Sequence, residues 1–129
     1  MGLVLDSSVL IAAERKGQNA RQALAEDAAV SVVTLIELAN GVARANTPQR
    51  KTARRQFVNE LISVLPVLPI TAAMALRAGE IDGESAARGI RLALSDLLIG
   101  VTALELGYRV APANLRHFQQ IPGLQVIQL

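Results

Sequence analysis

The 129-residue sequence contains no cysteine, no tryptophan and a single histidine, His117. The lack of cysteine excludes disulfides, thiolate nucleophiles and thiolate zinc sites, and is compatible with a reducing compartment. A single histidine excludes a paired-histidine ribonuclease, and it excludes a Ser/His/Asp triad unless His117 serves it. Carboxylates and amides are therefore the side chains left for catalysis.

Aromatic residues and long apolar runs are also scarce. Aromatics make up 2% of the chain and apolar residues 51%, so the core must consist of Ala, Val, Leu and Ile. No run approaches the roughly 18 apolar residues of a membrane span, and the N-terminus lacks the basic-then-apolar pattern of a signal peptide. We therefore expect a single domain over residues 1–129, located in the cytoplasm and not at a membrane.

Strand and helix signals alternate along the first half of the chain. The apolar segment "LVLD" predicts a strand buried on both faces. Helices are expected over residues 8–14, closing at Gly17, and over residues 20–26. A second strand is predicted over residues 29–34, with a helix ("LIELANGVARA") behind it.

The second half continues this alternation. A basic helix is predicted from Pro48, with Phe57, Leu61 and Ile62 on its apolar side. The prolines of "VLPVLPIT" predict either an edge strand or a strand with its ends trimmed. The next segment, "AAMALRAGEIDGESAARG", predicts a helix that is loosened at its three glycines.

The last part of the chain contains the clearest helix, "LALSDLLIGVTALELG", which we expect to start at Ser95 or Asp96 and to stop at Gly107. The segment "YRVAPAN" predicts a strand, and "IPGLQVIQL" predicts a turn and a final strand. The alternation of strands and helices predicts an α/β fold with a mainly parallel sheet.

Three carboxylates interrupt the apolar pattern: Asp6 ends the first strand, Glu37 lies one turn into the helix after the second, and Asp96 opens the clearest helix. All three also match capping positions: Asp6 as an N-cap, Thr34 with Glu37 as a capping box, and Asp96 beside Ser95 near a helix N-terminus. Acids in apolar surroundings are, however, rarely buried without a partner. Because sites form beyond the carboxyl ends of parallel strands, we expect the three acids to converge on one pocket.

Convergence of carboxylates would favour a metal ion. Two carboxylates about 4 Å apart repel by several kcal/mol in a partly buried cleft, and a divalent cation removes that repulsion. Oxygen ligands favour Mg²⁺, or alternatively Mn²⁺, over Zn²⁺. Such an ion activates water for in-line attack on a phosphate and neutralises charge on the leaving oxygen.

Four segments in order, "VLDSSVLIA", "VSVVTLIELANG", "LALSDLLIGVTALELG" and "VAPANLRHFQQIPGL", resemble the PIN-domain ribonucleases and, among them, the VapC-type toxins of bacterial toxin–antitoxin pairs. The resemblance covers essentially the whole chain. It implies a three-layer α/β/α fold and a Mg²⁺-dependent endoribonuclease that hydrolyses RNA phosphodiester bonds. It also implies a homodimer and a cognate VapB-like antitoxin.

The resemblance assigns roles to individual residues. Asp6, Glu37 and Asp96 match the catalytic, metal-binding acids of the family. Ser8 and Thr34 are the neighbouring hydroxyls expected to support them. Asn114 falls where many members have a fourth acid, and His117 replaces an aspartate. Because Asn114 removes a negative charge while keeping an oxygen ligand, we expect weaker binding of a second metal and reduced activity.

Basic residues are candidates for contacts with RNA or the antitoxin. Residues 38–59 contain no acid but five basic residues, which suit an RNA backbone or form an ordinary solvated helix face. Arg88, Arg91 and His117 are further candidates, with a plain surface role as the alternative. The five basic residues are Arg44, Arg50, Lys51, Arg54 and Arg55.

Three other classes of protein share some of these sequence features. A haloacid dehalogenase-type phosphatase needs a second acid two residues after Asp6, where Ser8 stands. A receiver domain needs adjacent acids near the first strand and a late lysine, whereas the only lysines are Lys16 and Lys51. A catalytically weak or silent PIN-like module would bind RNA or antitoxin without cleavage, so RNA cleavage that EDTA abolishes separates it from the enzyme.

Overall fold

The computed structural model describes residues 2–19, 27–112 and 115–128. The helix predicted over residues 20–26 and the candidate ligand Asn114 lie outside these ranges. In the part of the chain that is described, no helix is both long and apolar enough to cross a membrane.

Four parallel strands form the central sheet in the order β3-β2-β1-β4. The central strand β1 pairs with β2 through Leu3 and Ala28, and with β4 through Leu5 and Ala111. Strand β3 lies at the edge, as its flanking prolines predicted. The strands are β1 (Leu3–Leu5), β2 (Ala28–Ser31), β3 (Val67–Leu68) and β4 (Arg109–Ala111).

Helices cover both faces of this sheet. Leu3 and Leu5 of β1 pack into one apolar cluster with residues of α1, α2 and α3, whereas Val4 packs into another with residues of α4 and α5. This alternation is the period of two of a strand, and it produces the predicted three-layer α/β/α fold. The helices are α1 (Ser7–Arg15), α2 (Val32–Ala43), α3 (Pro48–Val64), α4 (Ala72–Ala87), α5 (Leu94–Leu106) and α6 (Leu115–Gln119).

The boundary between β2 and α2 differs from the prediction. The strand ends at Ser31, whose hydroxyl oxygen accepts a hydrogen bond from the backbone N–H of Val33 at 3.1 Å. Serine is a strong N-cap, and this cap starts the helix despite the β-branched residues that follow. Thr34 is therefore the third residue of α2, and the predicted capping box of Thr34 and Glu37 is wrong.

Other details of the second half also differ. Helix α4 runs unbroken through Gly79 and Gly83 because Met74, Ala78 and Ile81 are buried along its inner face. Ile62, placed on the apolar side of α3, is 49% exposed. The expected final strand is reduced to an isolated bridge with β4, and helix α6 precedes it.

Several predicted ends are confirmed. Helix α3 begins at Pro48, behind the N-cap Thr47. Helix α5 stops at Gly107, whose φ of 69° lies in the left-handed region that glycine adopts without strain. The predicted start of α5, in contrast, is wrong. The N-cap of α5 is Ala93, so neither Ser95 nor Asp96 caps this helix.

Candidate active site

Asp6 lies between β1 and α1, at the carboxyl end of the central strand, and is 7% exposed. Its backbone N–H donates to the carbonyl of Ala111 at 3.2 Å, which ties it to the end of β4. Although Asp6 occupies the N-cap position, its side chain makes no capping hydrogen bond. Its carboxylate instead accepts a hydrogen bond from the hydroxyl of Ser8, so the capping explanation of this acid is wrong.

Glu37 reaches the same region from α2. It is the sixth residue of that helix, because α2 begins at Val32, three residues before the expected start. The hydroxyl of Ser7, the first residue of α1, donates to Oε1 of Glu37 at 3.1 Å. Ser7 was not predicted as a site residue. The sequence feature that could have identified it is its position next to Asp6.

Asp96 lies in the first turn of α5, as predicted. Its Oδ2 is 3.2 Å from Nδ1 of His117, which belongs to α6. No titrating partner of His117 lies within its own segment of the sequence, so this contact was not predicted. The lone histidine therefore belongs to the carboxylate site and not to an unrelated surface.

The three carboxylates influence one another electrostatically. Burial is the main cause of the raised pKa of Glu37; the charges of Asp6 and Asp96 raise it further, while the Ser7 hydrogen bond lowers it. Burial, followed by the charge of Asp6, raises the pKa of Asp96, while His117 lowers it. The three acids therefore lie within electrostatic range of one another, beyond the carboxyl ends of β1 and β2 and near the N-terminus of α5, while their convergence on one pocket stays a prediction.

The chemistry of these side chains fits a hard divalent cation. All three offer carboxylate oxygens, and their mutual repulsion is what a cation offsets. Among the described residues, no three acidic or histidine side chains lie close enough together to hold one ion between them. The three carboxylates are instead engaged with Ser8, Ser7 and His117.

The remaining predicted residues are spread over several elements. Thr34 is fully buried, and its hydroxyl has no hydrogen-bond partner among the described residues. Arg88 ends α4, and Arg91 is exposed in the following loop. Arg44 ends α2, while Arg50, Lys51, Arg54 and Arg55 lie along α3.

The basic residues of α3 face different ways. Arg50 and Arg54 line one cavity together with Arg15 of α1, which the sequence analysis did not single out. Arg55 lines another cavity, beside Ala39 and Val42. The basic segment is therefore not one continuous surface.

Sequence and structure comparisons agree with this architecture. The chain is 30% identical to ribonuclease VapC1 of Rickettsia felis over 128 residues, covering 98% of this chain and 96% of the relative. It is 34% identical to the tRNA(fMet)-specific endonuclease VapC of Salmonella typhimurium over 97 residues, covering 75% and 71%. Its fold matches a chain of the DNA-bound VapBC complex from Salmonella typhimurium with a TM-score of 0.84 and 27% identity, covering 99% and 98%. The PIN domain family matches residues 3–124, and the chain belongs to that family.

Proposed function

We propose that this chain is a metal-dependent endoribonuclease that acts as the toxin of a toxin–antitoxin pair. The observation that carries the proposal is the approach of Asp6, Glu37 and Asp96 to one another beyond the carboxyl ends of parallel strands. Relatives named as ribonucleases and as a tRNA(fMet)-specific endonuclease support RNA as the substrate class. The family match over residues 3–124 supports a single domain over residues 1–129.

The proposed cofactor is Mg²⁺, with Mn²⁺ as a substitute, and its proposed ligands are Asp6, Glu37 and Asp96, which would have to move closer together around the ion than they lie in this structure. When bound, the ion would activate water and neutralise charge on the leaving oxygen of the phosphodiester. The chain's own groups orient the carboxylates: Ser8 and Ser7 donate to Asp6 and Glu37, and His117 contacts Asp96. Asn114 is proposed as a further oxygen ligand.

The proposed partners are RNA, a VapB-like antitoxin and a second copy of the chain. Similarity to the VapBC complex supports the antitoxin. Large apolar side chains exposed on the surface, including Ile36, Leu76 and Leu94, support coverage by another chain. We expect the protein to act in the cytoplasm, where RNA is available.

The test is cleavage of RNA by the purified chain in Mg²⁺. We expect EDTA to abolish cleavage, and Asp6→Ala and Asp96→Ala to abolish it separately. Asp82→Ala provides the control, because Asp82 is an exposed acid of α4. Retained cleavage in both site variants would refute the assignment.

The alternative function is a PIN-like module that binds RNA or antitoxin without cleaving. The observation that favours it is that no three acidic or histidine side chains in the described ranges are close enough to hold one ion. RNA binding without EDTA-sensitive cleavage would support this alternative. If a missing charge at Asn114 limits metal binding, Asn114→Asp will bind Mn²⁺ more tightly by calorimetry, and unchanged affinity would reject that explanation.

A further inference from the structure

A cleft runs from the carboxylate site outward between α1, α2 and α3. One cavity, of about 100 Å³, is lined by Glu37 at its inner end and reaches Glu14, Arg15 and Arg54. A second cavity is lined by these same last three residues and by Arg50. Because they share three lining residues, the two cavities are adjacent, and together they are called the α1–α3 cleft, which extends from Glu37 to Arg50.

The middle of the α1–α3 cleft is apolar. Ile11, Leu38, Phe57 and Val58 line it, on three different helices. The flat face of a nucleobase fits such walls, because base binding to single strands relies on contact with the face of the ring and is tolerant of sequence.

Gly41 keeps this part of the α1–α3 cleft open. Glycine inside a helix is less favourable than alanine by about 1 kcal/mol, so its place in α2 needs a reason. A Cβ at position 41 would meet no atom within 4 Å, so close packing is not that reason. Gly41 lines the cleft itself, and any larger side chain there would extend into it.

The outer end of the α1–α3 cleft is positively charged. Arg15, Arg50 and Arg54 outnumber the single carboxylate of Glu14. One N–H of Arg54 donates to the carbonyl oxygen of Gly41 at 2.8 Å, which fixes its guanidinium at the cleft. A guanidinium has five N–H donors, so this bond leaves others for a phosphate.

The spacing between the inner end of the α1–α3 cleft and its apolar middle also suits a nucleic acid strand. Glu37 and Gly41 are four residues apart on α2, or about 6 Å along the helix axis. That distance is comparable to the separation of neighbouring phosphates in an extended single strand. A strand with one phosphate at the carboxylates would therefore bring the next nucleotide into the cleft.

We propose that the α1–α3 cleft is a nucleotide subsite of the RNA substrate. The apolar walls receive the base next to the scissile phosphate, and Arg15, Arg50 and Arg54 bind the adjoining backbone phosphate. This inference rests on the proposed ribonuclease function and deepens it, since it assigns a base position and a phosphate position to residues outside the carboxylate site.

The test fills the cleft without altering its charges. Gly41→Leu places a side chain in the apolar part, and Gly83→Leu is the matched control, since a Cβ at position 83 of α4 also meets no atom within 4 Å. The probe is a 5′-fluorescein RNA 12-mer of mixed sequence. We measure its anisotropy with Ca²⁺ and its cleavage with Mg²⁺, after confirming by circular dichroism that each variant is folded.

We expect Gly41→Leu to weaken binding about tenfold, which is typical of losing contact with one base, and Gly83→Leu to stay within twofold of the unaltered chain. A set of 12-mers should carry one abasic nucleotide each, at every position in turn. Binding should be weakened when the abasic nucleotide stands at one particular position only. That loss should disappear in Gly41→Leu, because the base has already been displaced. Arg50→Gln should lower the slope of log affinity against log salt concentration by about 0.7.

The outcomes separate this inference from the proposed function. If the unaltered chain cleaves RNA and Gly41→Leu binds the probe equally well, the subsite is refuted and the ribonuclease stands; the cleft would then belong to another occupant, such as a protein segment. If the chain binds without cleaving and Gly41→Leu loses binding, the subsite is supported and the enzyme is refuted. Absence of both binding and cleavage refutes both.

Discussion

The two ends of the α1–α3 cleft are built in opposite ways. The inner end is lined by Glu37, which is half-buried and lies within electrostatic range of the buried Asp6 and the half-buried Asp96, and each carboxylate has a hydrogen-bond or ion-pair partner on the protein. At the outer end, Arg15 and Arg50 are exposed on helices α1 and α3. The inner end is fixed by the sheet and the core before any ligand arrives, whereas the outer end consists of long side chains that adjust to a ligand.

This contrast assigns different tasks to the two ends. Carboxylates held together without a cation repel one another, which costs stability but prepares a position for an ion. Solvent-exposed arginines cost the folded protein little stability, and they contribute to RNA affinity mainly through the number of phosphates that they contact. Substitutions at the inner end should therefore change chemistry and metal affinity, and substitutions at the outer end should change RNA affinity alone.

The largest effect is expected from a pair of substitutions that separates these tasks. Glu37→Gln should lower kcat/KM by at least about 100-fold and weaken Mn²⁺ binding, because it removes a proposed ligand of the ion. Loss of a residue that only orients a ligand typically costs about 10–100-fold, so loss of the ligand itself should cost at least that much. Arg15→Gln should lower kcat/KM by about tenfold and leave Mn²⁺ affinity unchanged. Cleavage kinetics and calorimetry check both, and a loss of Mn²⁺ affinity in Arg15→Gln would break the comparison.

The inner end was largely predictable from the sequence, because its acids interrupt apolar segments. Asp6 follows three buried strand residues, and Asp96 opens an apolar helix, so both are conspicuous without a structure. Ser8 was expected beside Asp6, but the partners of Glu37 and Asp96 were not predictable in the same way. Ser7 meets Glu37 across 30 positions of sequence, and only the packing of α1 against α2 brings them together.

The outer end was much less predictable. Arg50 and Arg54 belong to a basic helix that the sequence marks clearly, yet the sequence does not show that Arg55 faces another cavity or that Arg15 of α1 joins them. The start of α2 was misplaced for a local reason. The β-branched residues after Ser31 favour a strand, and the N-cap at Ser31 overrides that preference.

A smaller effect is expected from the contact between His117 and Asp96. His117 lies 3.2 Å from one carboxylate oxygen, so it acts as a positioning residue that holds the carboxylate in place. We expect His117→Ala to weaken Mn²⁺ binding about tenfold. His117→Asn should restore most of the affinity, since its amide N–H₂ can take the place of the ring nitrogen.

Calorimetry with Mn²⁺ distinguishes this role from a general effect on folding. A merely structural role for His117 would lower thermal stability in both variants and leave the Mn²⁺ affinity of the folded protein unchanged. Equal losses of affinity in His117→Ala and His117→Asn would show that the hydrogen bond to Asp96 does not position the carboxylate.

The smallest effect concerns the stability of the metal-free protein. Burial and the charges of Asp6 and Asp96 raise the pKa of Glu37 from its ordinary value of 4.5. Between that value and the raised one, the folded state binds more protons than the unfolded state, so the free energy of unfolding falls as pH rises through this window. Glu37→Gln should remove this part of the pH dependence and slightly stabilise the metal-free protein at neutral pH, and the effect should be small because solvent screens a side chain that is only partly buried. Urea unfolding in EDTA at pH 4.5 and pH 7.5 checks both expectations, with Arg15→Gln as the control at the other end of the cleft.

A metal-free Glu37→Gln protein that is less stable than the unaltered chain at pH 7.5 would contradict this expectation. It would mean that the Ser7 hydrogen bond outweighs the repulsion between the carboxylates, and that the inner end is not strained before an ion binds.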